Sequence, residues 1–541
     1  MTQAVDPHDS ARDARRLGRR ASVGIVGAAV NGLFTFVLVI VVTRGLGVEG
    51  SGVFFVAVAV MTILAGVSGL GADTGMIFSV PNLLLRGAHR SLPRQLVVAL
   101  VPVAVLGVIS GVAMWFVAEP LAQWIGGPGA DVSSAADCLR LLAVILPIVP
   151  IYELLLAATR AFDHITTSVV IDKIARPIVQ PAAVGIAIAS GASLPIVTLS
   201  FAAFYPLGVL AAIWGVRDRL GRHSGVGDDA PPEPVAALAT AFWVYTWPRS
   251  IARICQVAIQ RVDVIIVAGV LSASEAGVYG AVSRLMMAGL FFNQAIQQAT
   301  QPRLSFQLAS GEREAARSTY QLSTTWLMML AWPVYLTLIV FAPSILSLLF
   351  GPSFVAGAPA LRVLSATMLI ATACGLVDVV LLMSGRSRLS LVNLVTALVL
   401  NIALNLILVP RIGIVGAAWA WLAAILATNL LPLGQVWSTM RLQPVSRSAV
   451  MVAGGAVAFV GVPSVAAAVI GGQTDLALMA GVVLSGLMYI VFLYLARSGL
   501  HLEDLYGGVL RGVMRRRGSG SPGVGGGPAG RLSNSPSGDS S

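Results

Sequence analysis

Five polar side chains fall on one face of an apolar stretch between residues 240 and 270. They are Arg249, Arg253, Gln256, Gln260 and Asp263. On a helix with 3.6 residues per turn they lie within about 80° of one another, and the opposite face is apolar. The planar fork of an arginine stays charged and pairs with phosphate oxygens, whereas an amide hydrogen-bonds to sugar hydroxyls. We therefore expect this stripe to line a cavity for a ligand that carries phosphate and sugar.

The two ends of the same stretch also allow an interpretation that needs no ligand. Arg249 would extend from one end to lipid headgroups, as long basic side chains do near a membrane surface. Arg261 and Asp263 would form an ion pair at the opposite surface.

The composition predicts that membrane-spanning helices hold these residues. Of the 541 residues, 57% are hydrophobic and 11% are charged, whereas a soluble domain carries about 25% charged residues. The mean hydropathy is +0.86, so the chain is expected to be an all-α integral membrane protein. About 20 apolar residues make one span, and about fourteen such runs are present, at 22–43, 51–71, 95–117, 138–159, 165–189, 194–215, 240–270, 277–300, 320–341, 361–384, 389–409, 412–437, 448–470 and 474–496.

The distribution of basic residues predicts the orientation. Arginines cluster in the N-terminal tail, in every second loop and in the C-terminal tail. Cytoplasmic loops carry this excess, so both termini are expected in the cytoplasm. The basic start resembles a signal peptide, but its apolar run has full spanning length and no cleavage pattern ends it.

Charges inside other predicted spans are further candidates, because a charge at the membrane centre costs about 2.5–3.5 kcal/mol. Arg284 is expected either to contact phosphate or to pair with Asp263 or Asp378. Asp263 and Asp378 are candidates for binding a coupling cation or proton, the alternative for each being to neutralise an arginine. Asp172, Lys173 and Arg176 are expected to line a cytoplasmic mouth.

A polar, proline-containing linker and two tails divide the chain. The C-terminal tail is rich in Gly, Ser and Pro and is expected to be disordered. The predicted regions are a basic tail 1–21, an N-lobe 22–220 with six helices, a linker 221–235, a C-lobe 236–440 with six helices, a helix pair 441–497 and a tail 498–541.

The two predicted lobes share a local pattern. Leu46–Phe54 follows the first span, and Leu271–Tyr279 follows the seventh, 225 residues later. In both, Leu precedes Gly by six residues, an acid lies between them, and an aromatic residue follows the Gly by two. Since six spans separate the copies, we predict a parallel repeat about an axis normal to the membrane.

The order and spacing of several motifs resemble one transporter family. The sequence is similar to the polysaccharide flippase (Wzx-like) branch of the multidrug/oligosaccharidyl-lipid/polysaccharide exporter superfamily. This resemblance implies two six-helix lobes around a central cavity, alternating access, and a lipid-linked glycan as substrate. The motifs are Thr43–Gly47, Gly69–Thr74, Val262–Tyr279, Leu349–Arg362 and Asn401–Trp419.

The resemblance also implies a setting for the protein. It predicts a bacterial cytoplasmic (inner) membrane, membrane lipids as surroundings, and a glycan polymerase or other biosynthesis protein as a candidate partner. Arg44, at the outer end of the first span, is a candidate substrate contact, and Asp73 is expected to cap a helix end.

Two related functions stay open as alternatives: a lipid II flippase for peptidoglycan and a cation-coupled multidrug antiporter of the same superfamily. Several arginines in the expected cavity favour an anionic substrate over a cationic drug. The sequence has no phosphate-binding loop, no nucleophile elbow and only scattered histidines. We therefore expect no enzyme activity, no cofactor, no metal and no nucleic-acid partner, with transport driven by an ion gradient, membrane potential or consumption of the product.

Overall fold

The computed structural model describes residues 7–126, 131–162, 165–223 and 233–497, and these are almost entirely helical. The first helices are α1 Pro7–Gly69, α2 Ala72–Leu85, α3 Leu92–Gly126, α4 Val132–Ile145, α5 Ile148–Ala161, α6 Ile165–Ser168, α7 Arg176–Ala189, α8 Leu194–Ala202 and α9 Phe204–His223. The next are α10 Val235–Ile259, α11 Val262–Val270, α12 Ala273–Met286, α13 Leu290–Ala309, α14 Arg313–Val340, α15 Ala342–Phe350, α16 Ala358–Ala373, α17 Val377–Met383, α18 Ser387–Ile412 and α19 Ile414–Met440. The last are α20 Arg447–Ala456, α21 Val462–Gly471 and α22 Asp475–Leu495.

Ten helical segments in the described ranges are long and apolar enough to cross a membrane. The first of them, Val26–Leu85, has 60 residues, about three times the length that one crossing needs. It divides at Gly47, where φ is +67°, and again at Gly71, where φ is +63°, so the part that belongs to α1 comprises two crossings and α2 follows them.

Three further segments are apolar but interrupted, and with them the described residues account for the fourteen predicted spans. A π-helical stretch, Val169–Ala175, joins α6 to α7 and contains Asp172. Arg261 separates α10 from α11 with φ −130°, and a 3₁₀ turn, Met287–Gly289, follows Arg284. Each interruption therefore contains a charged residue or begins within three residues of one, as in transporters whose broken helices surround a binding site.

Several helices extend beyond the predicted spans. α3 continues to Gly126, where the prediction ended at 117, and α1 begins at Pro7 inside the predicted basic tail. Hydropathy marks only the apolar part of a span, whereas backbone hydrogen bonds continue the helix beyond it. The predicted lobe boundaries and the cytoplasmic location of both termini stay predictions, and the tail 498–541 lies outside the described residues.

The two copies of the repeat contact each other where α1 packs on α12. A methyl group added to Gly277 would meet the carbonyl oxygen of Val48 and lie 3.0 Å from the backbone nitrogen of Gly52. A methyl group added to Gly52 would meet the carbonyl oxygen of Ala273 and lie 3.0 Å from the nitrogen of Gly277. Two equivalent glycines, 225 residues apart, thus permit the close approach of these helices. A two-fold axis between the copies, as the predicted repeat requires, would produce this arrangement.

Polar contacts attach the last helices to α14 and α15. The Gln473 side chain donates to the Val340 carbonyl at 3.1 Å and accepts from the Ser344 hydroxyl at 3.0 Å. The Tyr489 hydroxyl donates to the Met329 carbonyl at 3.0 Å. Among the described residues, Ile490–Arg497 form a second, small unit, which contains the end of α22.

Candidate substrate-binding site

Two cavities share part of α10 as a wall. The larger, of about 570 Å³, is lined mainly by α10, α16, α18 and α19, and we call it the C-half cavity. The smaller, of about 300 Å³, is lined by parts of α1, α5, α7 and α9 and by α10, and we call it the N-half cavity. Arg253 and Gln260 line both, so α10 presents its polar stripe to two spaces.

The N-half cavity has a strongly basic lining. Four arginines line it, on three different spanning segments, and its one lining carboxylate is Glu153. The arginines are Arg176, Arg253, Arg261 and Arg284. Positive charges that outnumber the carboxylate and lie in a low-dielectric wall attract an anion.

The C-half cavity has a different chemistry. Amide and hydroxyl side chains dominate its polar lining, and two arginines there are matched by two carboxylates, Asp73 and Asp378. The neutral polar residues include Gln256, Asn293, Asn393, Thr428 and Asn429. Such groups donate and accept hydrogen bonds in many directions, which suits a neutral, hydroxyl-rich ligand.

Four residues of the predicted stripe reach the cavities. Arg249 and Gln256 line the C-half cavity, and Arg253 and Gln260 line both cavities. The Arg249 guanidinium lies 3.7 Å from the centre of the Tyr245 ring and donates to the Tyr245 carbonyl at 2.9 Å. Its charge is therefore partly engaged with its own helix.

Arg253 makes an ion pair with a helix of the other predicted lobe. Its Nη2 lies 4.0 Å from Oε2 of Glu153, which belongs to α5. Glu153 was not among the residues predicted from the sequence, although it lies inside the fourth predicted span. A charge inside a membrane span is costly, and this was the reason for singling out Arg284.

Asp263 lies apart from the stripe. It is 4% exposed and accepts hydrogen bonds from the Tyr279 hydroxyl at 3.1 Å and from Nδ2 of Asn405 at 3.0 Å. It lines neither cavity among those described. The ion pair with Arg261 that the sequence suggested does not hold Asp263, because the hydrogen-bond partners of Asp263 belong to α12 and α18.

Asp378 and Arg284 lie in different cavities. Asp378 lines the C-half cavity and accepts from the Ser390 hydroxyl at 2.7 Å, whereas Arg284 lines the N-half cavity. A salt bridge between the two, one of the alternatives drawn from the sequence, does not occur among the described contacts.

Arg44 lies outside both cavities. Its Nε donates to the Leu349 carbonyl at 2.9 Å, and its Nη2 donates to the Leu348 carbonyl. These carbonyls belong to the last turn of α15, which leaves such groups without partners inside the helix. Arg44 therefore caps α15, and its predicted contact with substrate stays a prediction.

Two arginines of the N-half cavity were assigned other roles from the sequence. Arg176, expected at a cytoplasmic mouth, lines this cavity, and its Nε lies 3.2 Å from Oδ1 of Asp172. The Tyr152 hydroxyl donates to the same Asp172 carboxylate at 3.2 Å. Arg261 has a buried Nη1 without a hydrogen-bond partner among the described groups. A ligand that brings a hydrogen-bond acceptor to such a buried, charged donor is bound favourably.

Comparison of sequences gives two matches. Residues 248–407 match the family model described as MatE. Over 158 residues the chain is 28% identical to the probable low-salt glycan biosynthesis flippase Agl15 of Haloferax volcanii. This match spans 29% of the chain and 34% of that relative.

Comparison of structures extends over most of the molecule. The lipid II flippase MurJ in an inward closed conformation has a TM-score of 0.70 at 11% identity, covering 87% of this chain and 98% of MurJ. An inward-facing multidrug resistance transporter of the MATE family has a TM-score of 0.58 at 16% identity, with 76% of this chain and 94% of that chain covered. At these identities the likeness concerns the fold.

Proposed function

We propose that this chain, a member of the multidrug/oligosaccharidyl-lipid/polysaccharide exporter superfamily, is a flippase for a lipid-linked glycan. It moves a polyprenyl-(pyro)phosphate-linked oligosaccharide from the cytoplasmic to the outer leaflet of a bacterial cytoplasmic membrane, by alternating access, for cell-surface polysaccharide biosynthesis. The observation that carries the proposal is the basic N-half cavity beside the amide-lined C-half cavity.

The N-half cavity supports binding of the phosphate groups. Its four arginines offer planar donor forks, and the buried Nη1 of Arg261 has no protein acceptor among the described groups. Phosphate oxygens are the acceptors that satisfy such donors in pairs. A cationic drug would instead be repelled by this lining, which argues against the antiporter alternative.

The C-half cavity supports binding of sugar residues. Its volume of about 570 Å³ lies within the range of about 300–1,000 Å³ found for ligand pockets. Because Arg253 and Gln260 line both cavities, a molecule with phosphate joined to sugar is able to occupy both at once. The flippase named in the Haloferax comparison is also described as acting in glycan biosynthesis.

Asp263 supports a site for a coupling cation better than Asp378 does. Two amide oxygens of α18, Oδ1 of Asn401 and Oδ1 of Asn405, are buried and accept no hydrogen bond from the described groups. The Asn405 amide donates to Asp263 through Nδ2, and rotation of this amide would turn its oxygen towards the carboxylate. A carboxylate with two amide oxygens is an all-oxygen set of the kind that hard cations prefer. No cluster of three His, Cys, Asp or Glu exists in the described ranges, so a monovalent ion such as Na⁺ fits this single charge best.

The test is genetic and chemical. The gene is deleted in its own host, the membrane lipids are analysed, and Arg261→Gln and Arg284→Gln are supplied as complementing alleles. We expect a polyprenyl-linked oligosaccharide to accumulate facing the cytoplasm, and we expect both alleles to fail at normal protein levels.

Arg140→Gln is the matched control. Arg140 pairs with Glu119 at 3.1 Å, away from the residues that line either cavity, and its allele is expected to complement. Accumulation of lipid II would instead assign the peptidoglycan role. Sensitivity to cationic drugs without any accumulating lipid-linked species would assign the antiporter role and refute the proposal.

A further inference from the structure

Glu153 is placed to compete with a phosphate group. It is the carboxylate of the N-half cavity, and its side chain is 47% exposed there, beside the 43% exposed Arg253 side chain. Both groups therefore face the space into which a ligand enters. The pair also joins α5 to α10, which belong to the first and second halves of the repeat.

The geometry of this pair is weak for an ion pair. Its shortest described distance is 4.0 Å, at the limit of a salt bridge, and half-exposed pairs of this kind contribute little. A phosphate accepts two parallel hydrogen bonds from one guanidinium and carries more charge than a carboxylate. An incoming phosphate therefore makes a stronger contact with Arg253 than Glu153 does.

We propose that Glu153 is an internal counter-anion that occupies the phosphate position on Arg253 while the cavity holds no substrate. This inference rests on the proposed function, since it assigns a competitor to the same phosphate site. Substrate phosphate displaces Glu153 on binding, and Glu153 returns to Arg253 as the substrate leaves.

The exchange of Glu153 for substrate phosphate on Arg253 affects the step of transport in which the substrate is released. A basic cavity without its own anion would hold a diphosphate tightly in both orientations, and tight binding of the substrate alone does not accelerate a cycle. When substrate phosphate leaves Arg253, the returning Glu153 carboxylate takes its place, so that the guanidinium is not left without an anion. Glu153 therefore favours dissociation of the substrate at the far side of the membrane. Glu153 is thus a positioning residue that sets affinity, and Arg253 is the group that contacts substrate.

The experiment measures binding of farnesyl diphosphate to the full-length protein in lipid nanodiscs by calorimetry. Glu153→Gln is expected to bind it about fivefold more tightly than the wild type does, because the competing charge is removed. Arg253→Gln is expected to bind more weakly. The double variant is expected to match Arg253→Gln, since without Arg253 there is nothing to compete for.

Two further variants make the outcome specific. Glu119→Gln removes a carboxylate from the pair with Arg140, and its affinity is expected to equal that of the wild type. Glu153→Asp keeps the charge on a shorter side chain and is expected to fall between the wild type and Glu153→Gln, which keeps the test valid if Glu153→Gln folds poorly.

The results separate this inference from the proposed function. Wild-type binding with no gain in Glu153→Gln or Glu153→Asp overturns the counter-anion and leaves the flippase proposal standing. If Glu153→Gln still raises the affinity when Arg253→Gln is present, the carboxylate acts through its general electric field and not by competing for Arg253, which also overturns the counter-anion. Absence of binding in every variant, the wild type included, refutes the phosphate site itself.

Discussion

A single methyl group at Gly277 is expected to force α1 away from α12. The added carbon of Gly277→Ala would meet the Val48 carbonyl oxygen and lie 2.9 Å from the Ser51 hydroxyl and 3.0 Å from the Gly52 nitrogen. Carbon contacts are favourable only at about 3.5–4.0 Å, so the helices must separate by roughly an ångström. Backbone atoms form most of this contact and have no rotamer to change.

The magnitude follows from two opposing effects. Overpacking of this kind costs about 1–3 kcal/mol, whereas alanine stabilises a helix interior by about 1 kcal/mol relative to glycine. Gly434 of α19 provides the control, because a methyl group there meets nothing within 4 Å. Because the gain from alanine applies to both variants, they are expected to differ in stability by the overpacking cost alone, about 1–3 kcal/mol.

The assay is thermal unfolding of the purified variants in one detergent, combined with cross-linking of cysteines introduced at Val48 and Ala273. Gly277→Ala is expected to unfold below the wild type and to cross-link less, and Gly434→Ala to unfold at or above it. Equal unfolding temperatures and equal cross-linking for Gly277→Ala and the wild type would refute the close contact.

Three other contacts give separate predictions. Arg44→Ala is expected to lower stability by about 1 kcal/mol through loss of the α15 cap while leaving farnesyl diphosphate binding unchanged; weakened binding would instead support its predicted role as a substrate contact. Asp263→Asn is expected to remove any rise in unfolding temperature that Na⁺ causes relative to choline, and a rise that survives the change would place the cation elsewhere. Asp172→Asn is expected to strengthen farnesyl diphosphate binding, because Arg176 loses the carboxylate that neutralises it at 3.2 Å, and weaker binding at an unchanged unfolding temperature would show that Asp172 instead orients Arg176.

The resemblance to the superfamily and the all-helical architecture could both be predicted from the sequence: residues 248–407 match the MatE family model, and the described residues are almost entirely helical. Apolar run lengths define spans because a bilayer fixes the length of a helix. The motifs Val262–Tyr279 and Leu349–Arg362, and the first residues of Asn401–Trp419, fall inside the segment that matches the MatE family model. The predicted repeat singled out Gly52 and Gly277, and these two residues make the reciprocal close contact between α1 and α12.

Only part of the arrangement of the polar stripe on α10 could be predicted from the sequence. A helical wheel assumes an unbroken helix, but α10 ends at Ile259 and α11 begins at Val262. The turn at Arg261 removes Asp263 from the common face, so that it contacts Tyr279 and Asn405 instead of a cavity. A register that spans a break cannot be read from periodicity.

Contacts between segments that lie far apart in the sequence could not be predicted, for a different reason. Arg44 meets carbonyls of Leu348 and Leu349, about 300 residues away along the chain, and nothing in its own neighbourhood indicates this. Glu153 and Arg253 also come from different halves. Such pairings depend on how the halves pack, which local pattern does not encode.

The reciprocal contact of Gly52 with Gly277 bears on how such a chain arose. A residue that meets its own equivalent is characteristic of the interface in a symmetric dimer of identical subunits. Here the two members of that interface belong to one polypeptide, on either side of residues 224–232. A chain divided within that segment therefore retains one member on each piece, and its two co-expressed pieces are expected to assemble with each other as the subunits of a dimer do.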